Sequence, residues 1–292
     1  DQAGGVWLAC GCGEELYAFA GPLDKVRVRR GGVGGGLRRE SGLGGCRGDS
    51  IPGVTLRDGR CVRLVQGDYS RETVYSSDPV AIAKRWEEMG AKRLHVVDLD
   101  GAREGESRNL EIAGKIARAI AIPCDIGGGI RSRESARSVL DEGFQRFSIG
   151  TRALDAEFAR AIFSEFGDAA ILDIAARGGM VSVEGWQEQT QVSALNLARG
   201  LDAVGCRRII FTDVSRDGAL SGPNVEAVRA MAQGVRASVI ASGGVSQVGD
   251  IVALAGLAPL GVEGVIVGKA LYDGRLDLKA ALEALDAARP RP

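Results

Sequence analysis

Val239-Ile-Ala-Ser-Gly-Gly-Val245 is an apolar β-type run that ends in glycine and hands over to a helical pattern, and Gly264-Val-Ile-Val-Gly-Lys-Ala270 repeats the design. In a parallel α/β protein, glycines at that point let backbone N–H groups and a helix N-terminus close around a phosphate. Either run alone is a weak signal, because glycine also ends strands for steric reasons. The pair recurs upstream, however, as Ile122-Pro-Cys-Asp-Ile-Gly-Gly-Gly129 and Arg146-Phe-Ser-Ile-Gly-Thr151. Gly128-Gly129 lies 115 residues before Gly243-Gly244, and Gly150 lies 118 before Gly268. A strand–glycine–helix pair repeated half a chain apart reads as a duplicated half-domain. It implies two facing phosphate sites, one at Gly128, Gly129, Gly150 and Thr151, the other at Gly243, Gly244, Gly268 and Lys269. The matching ligand is a small molecule with a phosphate at each end.

Outward from these runs, short β-rich segments alternate with amphipathic helical patterns of 10–15 residues from Ile51 onward, the signature of βα units on a parallel sheet. The strands are predicted at 51–56, 93–98, 122–126, 145–149, 169–174, 207–212, 237–241 and 262–267. The helices are predicted near 79–89, 109–120, 132–142, 155–165, 191–204, 223–232, 246–257 and 276–287. Asp78-Pro79 and Gly222-Pro223 mark helix starts. Eight of each in residues 51–292 predict a (β/α)8 barrel built from two half-barrel repeats, whose usual size is about 250 residues. A doubly wound open sheet is the alternative; the half-chain repeat favours closure.

Residues 1–50 have a different texture, with 14 glycines and no sustained period of strand or helix. Between Asp24 and Arg39 stand Lys25, Arg27, Arg29, Arg30, Arg38 and Arg39. Such a run reads either as a nucleic-acid-binding arm or as a disordered or non-native extension, and composition of this kind buries no core. The whole chain of 292 residues is 45% hydrophobic and 26% charged with net charge −1, the profile of a soluble globular protein without nucleic-acid or membrane partners. Its six cysteines are scattered in cytosolic fashion; Cys10-Gly-Cys12 lacks the companions of a zinc site. His95 is the only histidine, which excludes a multi-histidine metal centre. A cytoplasmic monomer without metal or cofactor is expected.

In a barrel the chemistry sits at strand C-termini and in the loops that follow. The ionisable and polar groups read there are Thr55, Asp98, Asp100, Asp125, Asp173, Asp213 and Asp217. An acid at a strand end serves either a ligand or the next helix as a cap. Asp217, in Thr212-Asp-Val-Ser-Arg-Asp-Gly218, has no helix immediately after it, which favours function. Arg131 reads as a phosphate or carboxylate partner or as a solvated arginine at a helix start. Trp186, in Gly185-Trp-Gln-Glu188, reads as a stacking plate for a flat ring or as a lid on the rim. His95, inside the second strand, reads as an oriented core group rather than a general base.

Residues 51–287 resemble the phosphoribosylformimino-aminoimidazole carboxamide ribotide isomerases of histidine biosynthesis. The resemblance rests on Leu56-Arg-Asp-Gly-Arg-Cys-Val-Arg-Leu-Val-Gln-Gly-Asp-Tyr69, His95-Val-Val-Asp-Leu-Asp-Gly-Ala-Arg103, Gly127-Gly-Gly-Ile-Arg-Ser132, Phe211-Thr-Asp-Val-Ser-Arg-Asp-Gly218, Ser242-Gly-Gly-Val245 and Val267-Gly-Lys-Ala-Leu-Tyr272. The related cyclase of the pathway lacks the Gln-Gly-Asp-Tyr and Gly-Trp-Gln-Glu loops, and those loops also argue against a sister isomerase of tryptophan synthesis. The resemblance implies a cofactor-free Amadori rearrangement of a bisphosphorylated aminoaldose to the aminoketose. It also implies Asp217 as general acid, with Asp98, Arg131, Trp186 and Ser242 toward the substrate.

The departures fall on the proton-transfer groups. The family's first strand ends in a catalytic aspartate, where this chain has Thr55; the fifth strand carries another carboxylate, where this chain has Ala175; and Asp125 stands in place of a more usual glutamine. A threonine hydroxyl does not ionise near neutrality. Asp173 lies on the same strand face as Ala175 but about 6.6 Å deeper. The expectation is therefore impaired isomerisation, with a non-catalytic phosphoribosyl-binding barrel as the alternative.

Overall fold

A computed structural model of the chain describes residues 6–9, 16–19 and 49–288. The basic run 25–39 and Cys10-Gly-Cys12 lie outside the described residues. Val6–Ala9 and Leu16–Phe19 pair antiparallel as a two-stranded sheet.

Eight parallel strands pair in chain order: Asp49–Arg57, Leu94–Asp98, Cys124–Gly127, Arg146–Ile149, Ala170–Arg177, Arg208–Asp213, Ser238–Ser242 and Val262–Val267. The last pairs with the first through Ile266 opposite Ile51, so the sheet closes. Closure rules out the open-sheet alternative and gives the (β/α)8 barrel. Helices Pro79–Glu88, Leu110–Ala119, Arg133–Asp141, Ala156–Phe166, Ala194–Ala203, Val225–Gly234, Val248–Ala255 and Leu278–Ala288 follow the strands. Alternation along each strand divides the core in two. Outward residues such as Val54, Leu56, Ile126, Phe147, Leu172 and Val239 pack under the helices together with Trp86. Inward Ile51, Ile171, Ile210, Ile240 and Ile266 form a separate cluster inside the barrel.

The sequence expectations differ from the structure at local signals. Asp78 caps its helix as expected, accepting from Ala81 N at 3.0 Å. The helix expected at Gly222-Pro223 instead begins at Val225, because Asn224 supplies the capping oxygen to Ala227 N. Two hairpins were not foreseen. Arg60–Val65 and Asp68–Ser76 fold back on the first strand through Asp58-Gly59 and Gln66-Gly67, all four at positive φ, the backbone of tight hairpin turns. Met180–Val183 and Glu188–Ser193 extend the fifth strand in the same way. Both hairpins rise over the barrel mouth.

The two halves repeat in atomic detail. Gly150 and Gly268 have nearly the same backbone, φ −109°, ψ −100° and φ −109°, ψ −106°. Asn109 Nδ2 donates to Asp98 and Asn224 Nδ2 to Asp213, each at 2.7 Å, and both pairs are 115 residues apart. Gly128 runs against the Asp98 carbonyl as Gly243 runs against that of Asp213. A side chain at Gly128 would collide with that carbonyl at φ +104°, a backbone L-residues avoid. Gly128→Ala should therefore lower stability by about 2–4 kcal/mol in urea unfolding. Gly59→Ala, also at positive φ but with nothing within 4 Å of the added carbon, should lose only about 1 kcal/mol.

Candidate active site

The barrel mouth opens into a cavity of about 160 Å³. Its wall brings together nine of the residues singled out from sequence: Thr55, Gly128, Trp186, Asp217, Ser242, Gly243, Gly244, Gly268 and Lys269. Its floor reaches Gly53, His95, Asp173, Ile210 and Ile266, below the strand ends.

Thr55, on the first strand, is nearly buried, and its Oγ1 accepts from Arg63 Nη1 at 2.6 Å. Arg63 comes from the unforeseen hairpin, also donates to the Gly53 carbonyl, and stacks 5.0 Å over the Tyr272 ring. Sequence reasoning assigned it no role, although it sits in the quoted Leu56–Tyr69 stretch; without the hairpin nothing pointed it at the mouth. Ala175 is buried and does not line the cavity, and its methyl offers no chemistry. Asp217 faces the same space. Burial pushes its carboxyl up from the ordinary value against the opposing pull of Arg63, which favours the protonated, donating form.

The second-half glycine cradle is open to the cavity, with Lys269 at its edge. The ammonium of Lys269 lies 2.9 Å from Asp273 and donates to Tyr75 Oη at 3.2 Å; the hydrogen bond to Asp273 raises its pKa, so it stays cationic. The first-half cradle meets the cavity only at Gly128. Gly129, Gly150, Thr151 and Arg131 do not line the cavity. Glu184 engages two of them: its N–H donates to Thr151 Oγ1 at 3.2 Å and its carboxylate takes Arg131 at 3.1 Å. Trp186, at φ +70° in the same loop, packs its ring on Gly67 across the mouth, so it serves at least as a rim contact.

Asp98 is not brought to the cavity. It is fully buried and accepts from Gly101 N, Ser107 Oγ, Arg108 N, Asn109 N and Asn109 Nδ2. Asp100 is likewise used by Asp58 N and Asn109 Nδ2. These carboxylates are saturated by the loop they organise. Asp125 lies below the strand ends with its Oδ2 2.5 Å from His95 Nδ1. Asp173 sits deep in the barrel but keeps part of its surface open to the cavity. Desolvation raises its carboxyl to about 6, against the lowering effects of His95 and a Ser148 hydrogen bond.

A closed eight-stranded barrel with a polar mouth, paired glycine turns and a buried acid defines an enzyme scaffold of the (β/α)8 class. Residues 50–277 match the family model described as histidine biosynthesis protein. Curated relatives named 1-(5-phosphoribosyl)-5-((5-phosphoribosylamino)methylideneamino)imidazole-4-carboxamide isomerase align across the same region. That from Dehalococcoides mccartyi strain CBDB1 is 48% identical over 242 residues, covering 82% of this chain and 98% of its own length. Those from Gloeothece citriformis and Acetivibrio thermocellus are each 46% identical, covering 82% and 80% of this chain and 93% and 97% of theirs. The chain belongs to this family of histidine-biosynthesis barrels. Among the described residues no helix is long and apolar enough to cross a membrane.

The Asp173 carboxyl carries a stability consequence. Its folded pKa, about 6, exceeds the ordinary 3.8, so the folded state holds the proton more tightly and stability falls as pH rises through that window. Above it the ionised group costs about 2–3 kcal/mol. Asp173→Asn should therefore be more stable than the parent at pH 7, an advantage that vanishes near pH 4, as read from thermal midpoints across the range.

Proposed function

We propose that this chain binds a bisphosphorylated aminoaldose across the barrel mouth and isomerises it slowly to the aminoketose. One observation carries the reading: two glycine cradles of matching backbone stand at the strand ends, one from each half-barrel, and a single cavity reaches Gly243, Gly244 and Gly268 of one and Gly128 of the other. The relatives' name contains two phosphoribosyl groups, one for each cradle. One phosphate is assigned to Gly243, Gly244, Gly268 and Lys269, the other to Gly128, Gly129, Gly150 and Thr151. Arg131 and Ser242 support those ends, Trp186 covers the middle, and Asp98 acts by holding the loop on which Gly128 rests. The working unit is the barrel of residues 51–292, a cofactor-free cytoplasmic monomer, with residues 1–50 an extension.

In the rearrangement Asp217 protonates the ring oxygen of the sugar, which opens the ring to an imine. A base then removes the proton at C2. Thr55 and Ala175 leave without a carboxylate the two positions where the family resemblance places one, and Arg63 holds the Thr55 hydroxyl. General acid–base groups are each worth about 10²–10⁴-fold, so binding is expected to survive better than turnover. The same locked hydroxyl favours, as a second reading, a barrel that binds phosphoribosyl ligands without transforming them.

Calorimetric titration with the bisphosphorylated aminoaldose, followed by a product assay on the same sample, separates these. Binding with slow turnover is expected; binding with none selects the second reading, and no binding defeats both. Thr55→Asp with Ala175→Asp should raise turnover by about 10²-fold or more. A double reversion that leaves the rate unchanged would show that the missing carboxylates do not limit it.

A further inference from the structure

The cavity floor carries groups that the steps above leave unused. Superposing the half-barrels by sequence offset pairs His95 with Ile210 and Asp125 with Ile240, each 115 apart, and Ser148 with Ile266, 118 apart. The second half carries isoleucine at these three positions, with Asp173 of the fifth strand in register beside Ile210. The first half places an imidazole, a carboxylate and a hydroxyl there, all nearly buried, and of these His95 lines the cavity. Buried polar groups cost stability unless partnered, so their presence at a level that isoleucine fills equally well points to use.

His95 and Asp125 are register partners on adjacent strands, with Nδ1 2.5 Å from Oδ2. An ionised carboxylate only accepts, so with Asp125 ionised and the ring neutral this contact puts the ring proton on Nδ1 and leaves the lone pair on Nε2. That second nitrogen has no hydrogen-bond partner among the described residues, and His95 lines the cavity. Its register neighbour on the first strand is Gly53, which places no side chain over the ring. Asp173 lines the same cavity and interacts electrostatically with His95, while Arg146 stands beside Asp125 and Arg63 above Gly53.

Building on the function proposed above, we infer that His95 is the base that removes the C2 proton in place of residue 55, with Asp125 as its positioning residue. The C2–H bond breaks as the proton passes to Nε2, and its electron pair forms the C1=C2 bond and neutralises the protonated imine. C1 then gains a proton and the C2 hydroxyl loses one, leaving the ketone. The change is an isomerisation and needs no oxidant or reductant. Asp173, across the cavity, offsets the charge on the imidazolium. The sequence alone favoured an oriented core role for His95; the cavity reaching one step below Thr55 changes that assignment.

The test uses the full chain and the bisphosphorylated aminoaldose in D2O, with NMR reading deuterium entry at C2 and calorimetry reading affinity. His95→Ala should keep the parent's affinity and lose about 10²–10⁴-fold in C2 exchange and turnover. Free imidazole should restore part of the exchange, a response that loss of a merely structural residue would not give. Asp125→Asn should weaken exchange without imidazole rescue, and Thr55→Asp added to His95→Ala should bring turnover back. His95→Ala exchanging at the parent's rate would overturn the inference, as would a parent that binds but never exchanges C2. A parent that does not bind overturns the underlying function instead, and this inference with it.

Discussion

The barrel mouth depends on two places where backbone meets backbone with no room for a side chain. Gly128 lies against the carbonyl of Asp98 and Gly243 against that of Asp213. These approaches set how tightly the turn after one strand nests on the loop of the previous strand. The aspartates are therefore engaged from both sides, their carbonyls by glycine and their carboxylates by Asn109 and Asn224, which in turn start the next helices. Glycine turn, acid, asparagine and helix start form one connected unit, present twice. The cavity is the space between the two units.

That coupling explains why an acid at a strand end is ambiguous in sequence. Asp98 and Asp217 both follow a strand in polar surroundings, yet one has five donors on its carboxylate and the other faces the cavity. The difference lies in what the next ten residues fold back to donate. For Asp98 the donors come from Gly101 to Asn109, around a short helix, Leu99–Glu104, that lacks enough turns to show a period. For Asp217 the loop continues without such a helix, which is what its sequence indicated.

The architecture was legible because strand and helix periods and the glycine repeat all describe backbone, and backbone is what neighbouring residues specify. Every expected barrel strand and helix exists, with ends moved by three residues at most. Less legible were features set by pairing across distance. The Asp58-Gly59 turn was a readable hairpin signal, but nothing local says that its second strand carries Arg63 onto Thr55. Nor does the sequence show that Glu184, from the loop after the fifth strand, engages Thr151 and Arg131. The His95–Asp125 contact depends on a register between strands 30 residues apart, which periodicity leaves undetermined.

The same duplication bears on how a nearly symmetric cradle can direct one reaction. A ligand with a phosphate at each end fits two equivalent cradles in either direction, so orientation must come from the middle. There the halves differ. Asp217 on one side corresponds, 115 residues earlier, to Ala102, and both line the cavity. Below them, His95, Asp125 and Ser148 correspond to Ile210, Ile240 and Ile266. The proposed acid thus belongs to the second half and the proposed base, His95, to the first, so a substrate lying across the mouth meets a proton donor on one side and an acceptor on the other only when it binds one way round. In the proposed reaction the paired glycines hold the ends alike, and the unpaired side chains decide which carbon loses its proton.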